Sequence, residues 1–264
     1  MNRITKRFTE IKAAQRNGLV VFVTAGAPDI ETTQATLPAL VSAGADIIEI
    51  GMPFSDPLAE GPVIQKSSYL SLLNKTSVDD CLDLAKHLRE SDNSTPLVLM
   101  GYYNPVYQYG LNKFLEKCNR YGVDGLIIVD LPAVEANEFK IMCNNNGVSF
   151  IPLIAPTSTD SNIELSLQKC DGFVYCVSVT GVTGARSEVS SRGLELVDRI
   201  KKFTDLPVAV GFGVSNKSHV DEICVKAEAA VVGSALVNVM LESDKPEIAR
   251  NAGDFVKSLT NHSS

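Results

Sequence analysis

The sequence predicts an α/β fold, a (β/α)8 (TIM) barrel with an N-terminal helix and an extra segment after strand two, and three observations carry that prediction. Eight short apolar runs recur along the 264 residues, each of strand length and rich in Val, Ile or Leu. The runs are continuous rather than alternating, as parallel strands buried on both faces are. Amphipathic helical stretches separate them at roughly the 30-residue spacing of a right-handed βα unit. A doubly wound sheet is the structural rival, but the first run ends TAGAP rather than in a glycine-rich dinucleotide turn.

The first 18 residues, MNRITKRFTEIKAAQRNG, pattern as a helix and lack the apolar stretch of a secretory signal. Strands are then expected at 19–24 (LVVFVT), 46–51 (DIIEIG), 96–101 (PLVLMG) and 125–130 (GLIIVD). The later four are 149–154 (SFIPLI), 172–177 (GFVYCV), 207–211 (PVAVG) and 229–233 (AAVVG). Helices are expected at 30–43, 78–89, 111–121, 133–145, 160–168, 193–203 and 216–226. Thr76-Ser77 and Thr159-Asp160 stand at helix starts as capping residues. Residues 53–74 exceed what a plain βα connection needs, and in this architecture extra chain after a strand lands on the catalytic face. One barrel domain over 1–264 is the expected organisation.

Composition narrows the function. Lys and Arg total 24 against 31 Asp and Glu, a net charge of −7, which argues against non-specific binding to nucleic acid or anionic membrane. No apolar run reaches membrane-spanning length. Cys81, Cys118, Cys143, Cys170, Cys176 and Cys224 are scattered, without CxxC or a nearby His at zinc spacing, and read as free thiols of a reducing compartment. A cytoplasmic protein is expected. His87, His219 and His262 fall in helices or the tail, so a metal site lacks ligands. Lys66, Lys75 and Lys113 fall in helical or loop stretches, away from a Schiff-base position.

The candidate chemistry lies at strand ends. Glu49 sits in IIEIG, where a buried charge costs several kcal/mol unless paired or protonated. It either points outward to a helix-borne cation or inward as a carboxylic acid of raised pKa, suited to proton transfer near neutrality. The loop GMPFSDPLAEGP that follows either is a plain connection with solvated acids or carries Asp56 or Glu60 toward the pocket of Glu49, and two carboxylates in one site would allow divided roles. Glycine-bearing turns VTGVTGA, GFGVS and VGSAL follow strands six, seven and eight, the last opening a helical run. Together they suggest a phosphate site. The residues alone thus point to acid–base chemistry on a phosphorylated small molecule.

The motifs DIIEIGMPFSDPLAEGPVIQ, MGYYNP, GLIIVDLP, PLIAPTS, FVYCVSVTGVTGAR, VAVGFGVS and VVGSAL are similar, over nearly the whole chain, to the tryptophan synthase α-subunit family. The resemblance implies retro-aldol cleavage of indole-3-glycerol phosphate into indole and glyceraldehyde 3-phosphate, without a cofactor on this chain. It further implies that indole passes to a β subunit carrying pyridoxal phosphate, in an αββα heterotetramer. Glu49 and Glu60 match the family's catalytic carboxylates, with Tyr175 and Thr183 in support. Position 60 departs from the family's usual Asp, and one more methylene moves the carboxylate by about 1.5 Å. Gly184, Gly213, Gly233 and Ser234 match the phosphate site, and Phe22, Met100, Tyr102, Ile127 and Phe212 the indole pocket. Asp56, Pro57, Asn104 and Pro132 fall on partner-facing loops. Two alternatives stay open: a catalytically impaired activator of the β subunit, and another phosphosugar-handling barrel.

Overall fold

The computed structural model describes residues 2–177, 186–211 and 213–260, with the side chains of 186–192 excepted. Its elements alternate as expected. Helix α1 (Arg3–Ala13) precedes β1 (Gly18–Thr24), α2 (Ile30–Ser42), β2 (Ile47–Gly51), α3 (Pro62–Leu73) and α4 (Val78–Arg89). Then come β3 (Leu97–Gly101), α5 (Tyr103–Tyr109), α6 (Leu111–Tyr121), β4 (Gly125–Ile128), α7 (Asn137–Asn145), β5 (Ser149–Phe150) and β6 (Leu153–Ile154). The last part runs α8 (Asp160–Leu167), β7 (Val174–Val177), α9 (Arg186–Ile200), β8 (Val208–Gly211), α10 (Lys217–Cys224), β9 (Ala229–Val232), α11 (Ser234–Glu242) and α12 (Ile248–Leu259).

The strands form one parallel sheet in the order β5-β4-β3-β2-β1-β9-β8-β7-β6. Its two ends are halves of the single run expected at 149–154, broken where Pro152 has no N–H to give. On one side Ser149 pairs with Gly125, and Ile151 N–H donates to the Leu126 carbonyl at 2.9 Å. On the other, Tyr175 N–H donates to the Pro152 carbonyl at 3.0 Å, and Leu153 pairs with Tyr175. One run therefore bonds both neighbours, and the sheet closes into the eight-membered ring the sequence implied.

Closure leaves two apolar layers. Inside the ring Val20, Ile47, Val98, Ile127, Ile151, Phe173 and Ala209 meet, and Ile4, Phe8 and Ile11 of α1 plug the ring's lower mouth. Phe8 packs on Phe173 with ring centroids 5.7 Å apart. The outward strand residues pack under the helices in a larger second layer. Helix α4 starts at a full capping box, the Ser77 hydroxyl and the Asp80 carboxylate each bonding the other's backbone N–H.

Several local outcomes differ from expectation: the helix expected at 193–203 spans Arg186–Ile200, and α12 adds a helix that was not expected. Residues 133–136 form a turn closed by Glu135 N–H on the Pro132 carbonyl at 2.8 Å, so α7 begins only at Asn137. The long segment after β2 contains helix α3, which starts on Pro62 in a first turn that needs no proline N–H. Helix α5 was likewise not anticipated, because its seven residues are too few to show a period.

Two buried aspartates fasten the lower ends of the strands. Asp46 takes two bonds from Arg16, at 2.7 and 2.6 Å, and the Leu19 N–H at 2.9 Å. Asp124 takes Arg3 at 2.9 Å, Arg89 at 2.8 Å and the Leu97 N–H at 2.8 Å. Each carboxylate thus joins the start of one strand to the start of the next. Asp124→Ala strands two partly buried arginines, so urea unfolding should show a loss of about 3–5 kcal/mol. A loss under about 1 kcal/mol would mean that the clamp is structurally idle.

Candidate active site

Strand β2 places Glu49 in register between Phe22 of β1 and Val98 of β3. Its side chain is fully buried, and neither carboxylate oxygen finds a hydrogen-bond partner among the described residues. The outward reading, a surface ion pair, is thereby set aside. Desolvation, assisted by the negative charge of Glu60, pushes the Glu49 carboxyl up to about 8. At neutral pH this acid keeps its proton, yet it lies close enough to neutrality to give it up.

Glu60 reaches the same region from the loop between β2 and α3. Its N–H donates to the Pro57 carbonyl at 3.0 Å, and its own carbonyl accepts the Gln65 side-chain amide at 2.9 Å. Partial burial raises this carboxyl too. Just before it, Ala59 N–H donates to the Tyr102 hydroxyl at 3.1 Å, and the Tyr102 ring stacks on Phe54 with centroids 4.7 Å apart. Tyr175, on β7, completes the group. Burial and then the charges of Glu49 and Glu60 hold its phenol well above the ordinary range, so it stays neutral.

Close approach makes glycine necessary around these side chains. A Cβ on Gly51 would run into the Phe22 ring, and one on Gly211 would stand 2.8 Å from the Tyr175 hydroxyl. Met100 and Ile127 are register partners on β3 and β4, Ile127 fully buried and Met100 only partly so. Gly213 has φ +55°, a backbone that favours glycine, with open space beside it. Gly233 precedes α11, whose N-terminus has no side-chain cap, and exposed Ser234 is its first residue. The expected site residues Thr183, Gly184 and Phe212 lie outside the described residues.

The four partner-facing candidates lie on three neighbouring segments. Asp56, Asn104 and Pro132 are exposed and Pro57 is partly so. Asp130 ties two of these segments together by accepting the Tyr103 N–H at 2.7 Å. Among the described residues no three His, Cys, Asp or Glu side chains converge as metal ligands, and no helix is long and apolar enough to cross a membrane. The contacts the sequence did not suggest are those of Phe54 and Gln65, both of which lie within the recognised motif DIIEIGMPFSDPLAEGPVIQ.

Comparison with known proteins addresses the family. Residues 8–262 match the family model for the tryptophan synthase alpha chain. The chain belongs to that family. A tryptophan synthase alpha chain from Geobacter sulfurreducens is 43% identical over 259 residues, covering 98% of each chain. A solved structure from Aquifex aeolicus superposes with a TM-score of 0.89 at 40% identity, covering 98% of both chains. The tryptophan synthase complex from Pyrococcus furiosus contains a chain that matches with a TM-score of 0.85 at 37% identity, over 92% of this chain and 98% of that one. The tryptophan synthase alpha chains are lyases that cleave indole-3-glycerol phosphate, the reaction the motifs implied.

The burial of Glu49 has a measurable consequence for stability. Its folded pKa of about 8 lies above the ordinary 4.5, so on raising the pH the unfolded chain releases this proton first. Stability then declines as pH climbs from 4.5 toward 8, by about 3 kcal/mol at pH 7. Glu49→Gln removes that penalty. Urea midpoints should show the variant gaining on the parent steadily from pH 5 to pH 8. A difference that stays constant with pH would mean that Glu49 titrates normally.

Proposed function

We propose that this chain cleaves the C3–C3′ bond of indole-3-glycerol phosphate with Glu49 as acid and base and Glu60 as the electrostatic partner of the indole nitrogen. The observation that carries the reading is a fully buried Glu49, without a hydrogen-bond partner among the described residues and under the charge of Glu60. Glu49 begins protonated and delivers its proton to indole C3. The ring nitrogen becomes positive as aromaticity is lost, and the Glu60 carboxylate stabilises that N–H. The Glu49 carboxylate then takes the proton of the C3′ hydroxyl. The C3–C3′ electron pair returns to the ring, releasing indole and glyceraldehyde 3-phosphate, and Glu49 is protonated again. The indole ring itself accepts the electrons, so no cofactor on this chain enters the scheme.

Phe22, Met100, Tyr102, Ile127 and Phe212 form the apolar wall for the indole, and neutral Tyr175 closes the side next to Glu49. Gly213, Gly233 and Ser234, with Gly184, hold the phosphate, using backbone N–H groups at the start of α11. Thr183 keeps the supporting role that the family motif assigns to it. The whole chain acts as one barrel in the cytoplasm.

The partner of this chain is a tryptophan synthase β subunit, which holds pyridoxal phosphate, in an αββα assembly. Helix α3 supports that reading through its inverted faces. Ser67, Ser68 and Ser71 are its buried residues, whereas Tyr69 is 63% exposed and Leu73 60%. With Phe54, Ser55, Pro57, Gln65 and Leu72 these two line a mostly apolar groove of about 500 Å³, beside a Leu58 that is 92% exposed. An apolar surface of this kind, next to Asp56 and Pro57, suits a protein partner.

Three outcomes test the reading. In the isolated chain, kcat/KM for indole release should fall through a single limb near pH 8, where Glu49 loses its proton. Glu49→Gln should lose about a thousandfold in kcat while binding glycerol phosphate within about tenfold of the parent. Retention of a tenth of the rate would remove Glu49 from its role. Tyr69→Asp with Leu73→Asp should weaken β-subunit binding at least about tenfold and leave the isolated chain's kcat within about twofold. Unchanged binding would place the partner elsewhere.

A further inference from the structure

Glu60 sits on a loop without regular structure, yet its charge bears on both Glu49 of β2 and Tyr175 of β7, whose strands face each other across the ring. Two tethers hold its backbone in addition to the local turn to Pro57. One runs from Ala59 N–H to the hydroxyl of Tyr102, the residue that follows β3. The other starts at the Glu60 carbonyl, which accepts the Gln65 amide at 2.9 Å, and so passes to the first turn of α3.

That first turn is itself referenced to β1. The Ser67 hydroxyl donates to the Ile64 carbonyl at 2.9 Å and lies 2.6 Å from the Thr24 hydroxyl. Because Ser67 spends its hydrogen on Ile64, Thr24 is the donor of the second bond. One turn further on, the Ser71 hydroxyl donates to the Ala25 carbonyl. Ser67 and Ser71 are fully buried and Thr24 nearly so, hence water does not compete for these bonds. A helix seated on hydroxyls takes its axial position from directional bonds, whereas apolar packing is non-directional.

We propose that Thr24 and Gln65 are positioning residues for the cleavage reaction, which through Ser67 and the first turn of α3 set the Glu60 carboxylate against Glu49. The two tethers end on β1 and β3, the strands that pair with β2 on either side, with Thr24 opposite Gly51 and Gly51 opposite Met100. Glu49 and Glu60 are therefore measured from the same three strands, although one stands on a strand and the other on a loop. A longer side chain than Asp at position 60 has more rotamers to lose, which makes a fixed backbone matter more. A misplacement of about 1 Å is worth roughly a hundredfold in rate.

This inference rests on the pairing of Glu49 with Glu60 in the proposed function, and Glu60→Gln separates the two. The test compares Thr24→Val, Thr24→Ser, Gln65→Met and Glu60→Gln in steady-state indole release from indole-3-glycerol phosphate, with thermal melts to confirm folding. Thr24→Val and Gln65→Met should each lower kcat by about tenfold or more with KM within about threefold, because the substrate is still bound. Thr24→Ser keeps the hydroxyl and should return kcat to within about threefold of the parent. The pH limb assigned to Glu49 should also move down in Thr24→Val, since a displaced Glu60 raises that carboxyl less. Equal losses in Thr24→Val and Thr24→Ser would trace the effect to packing and overturn the proposal. So would parental kcat and pH limb in Thr24→Val and Gln65→Met while Glu60→Gln is impaired, and the proposed function would then stand. A Glu60→Gln chain with full kcat would overturn the functional reading first, and the positioning role with it.

Discussion

A carboxyl that finds no hydrogen-bond partner among the described residues, enclosed by a barrel of apolar strands, is the constraint to which the rest of this structure answers. Ionised in that place, Glu49 would bear the full desolvation penalty of a buried charge, so it keeps its proton at neutral pH. The fold spends stability on that arrangement and recovers it elsewhere. Below the site lie a ring of aliphatic side chains and the α1 plug, and at the strand starts two aspartates are saturated with arginine and backbone donors. Stabilising charge pairs are kept at the lower mouth of the barrel, and the destabilised carboxyl stands above them.

The second carboxylate is placed by different means. Glu49 is fixed by β2 pairing, whereas Glu60 depends on a loop, a helix seated on serines, and a tyrosine stacked on Phe54. The same helix turns apolar residues outward beside that loop. A protein docked on those residues would press on the element from which Glu60 is suspended, which links the proposed partner surface to the proposed chemistry by direct mechanical continuity.

Much of this was legible in the sequence because buried parallel strands write themselves as continuous apolar runs. The eight runs, the extra chain after the second and the lone glutamate within it gave both the closed ring and the strand position of Glu49. The direction of Glu49 was not legible, since a strand five residues long and buried throughout shows no alternation. Helix α3 was missed for a related reason. Its serines and its outward leucine and tyrosine invert the usual amphipathic pattern, although hydroxyls at 67 and 71, one turn apart, mark its inner face. The break at Pro152 was visible as a residue, but its consequence needed both neighbouring strands in view.

The protonation state of Glu49 is the quantity on which the account turns, and difference infrared spectroscopy reads it without substrate. The spectrum of the parent minus that of Glu49→Gln should contain one protonated-carboxyl band that persists at neutral pH and disappears with a midpoint near 8. A band that is already lost near the ordinary carboxylate value of 4.5 would contradict the account, because Glu49 would then be ionised and solvated throughout the working range.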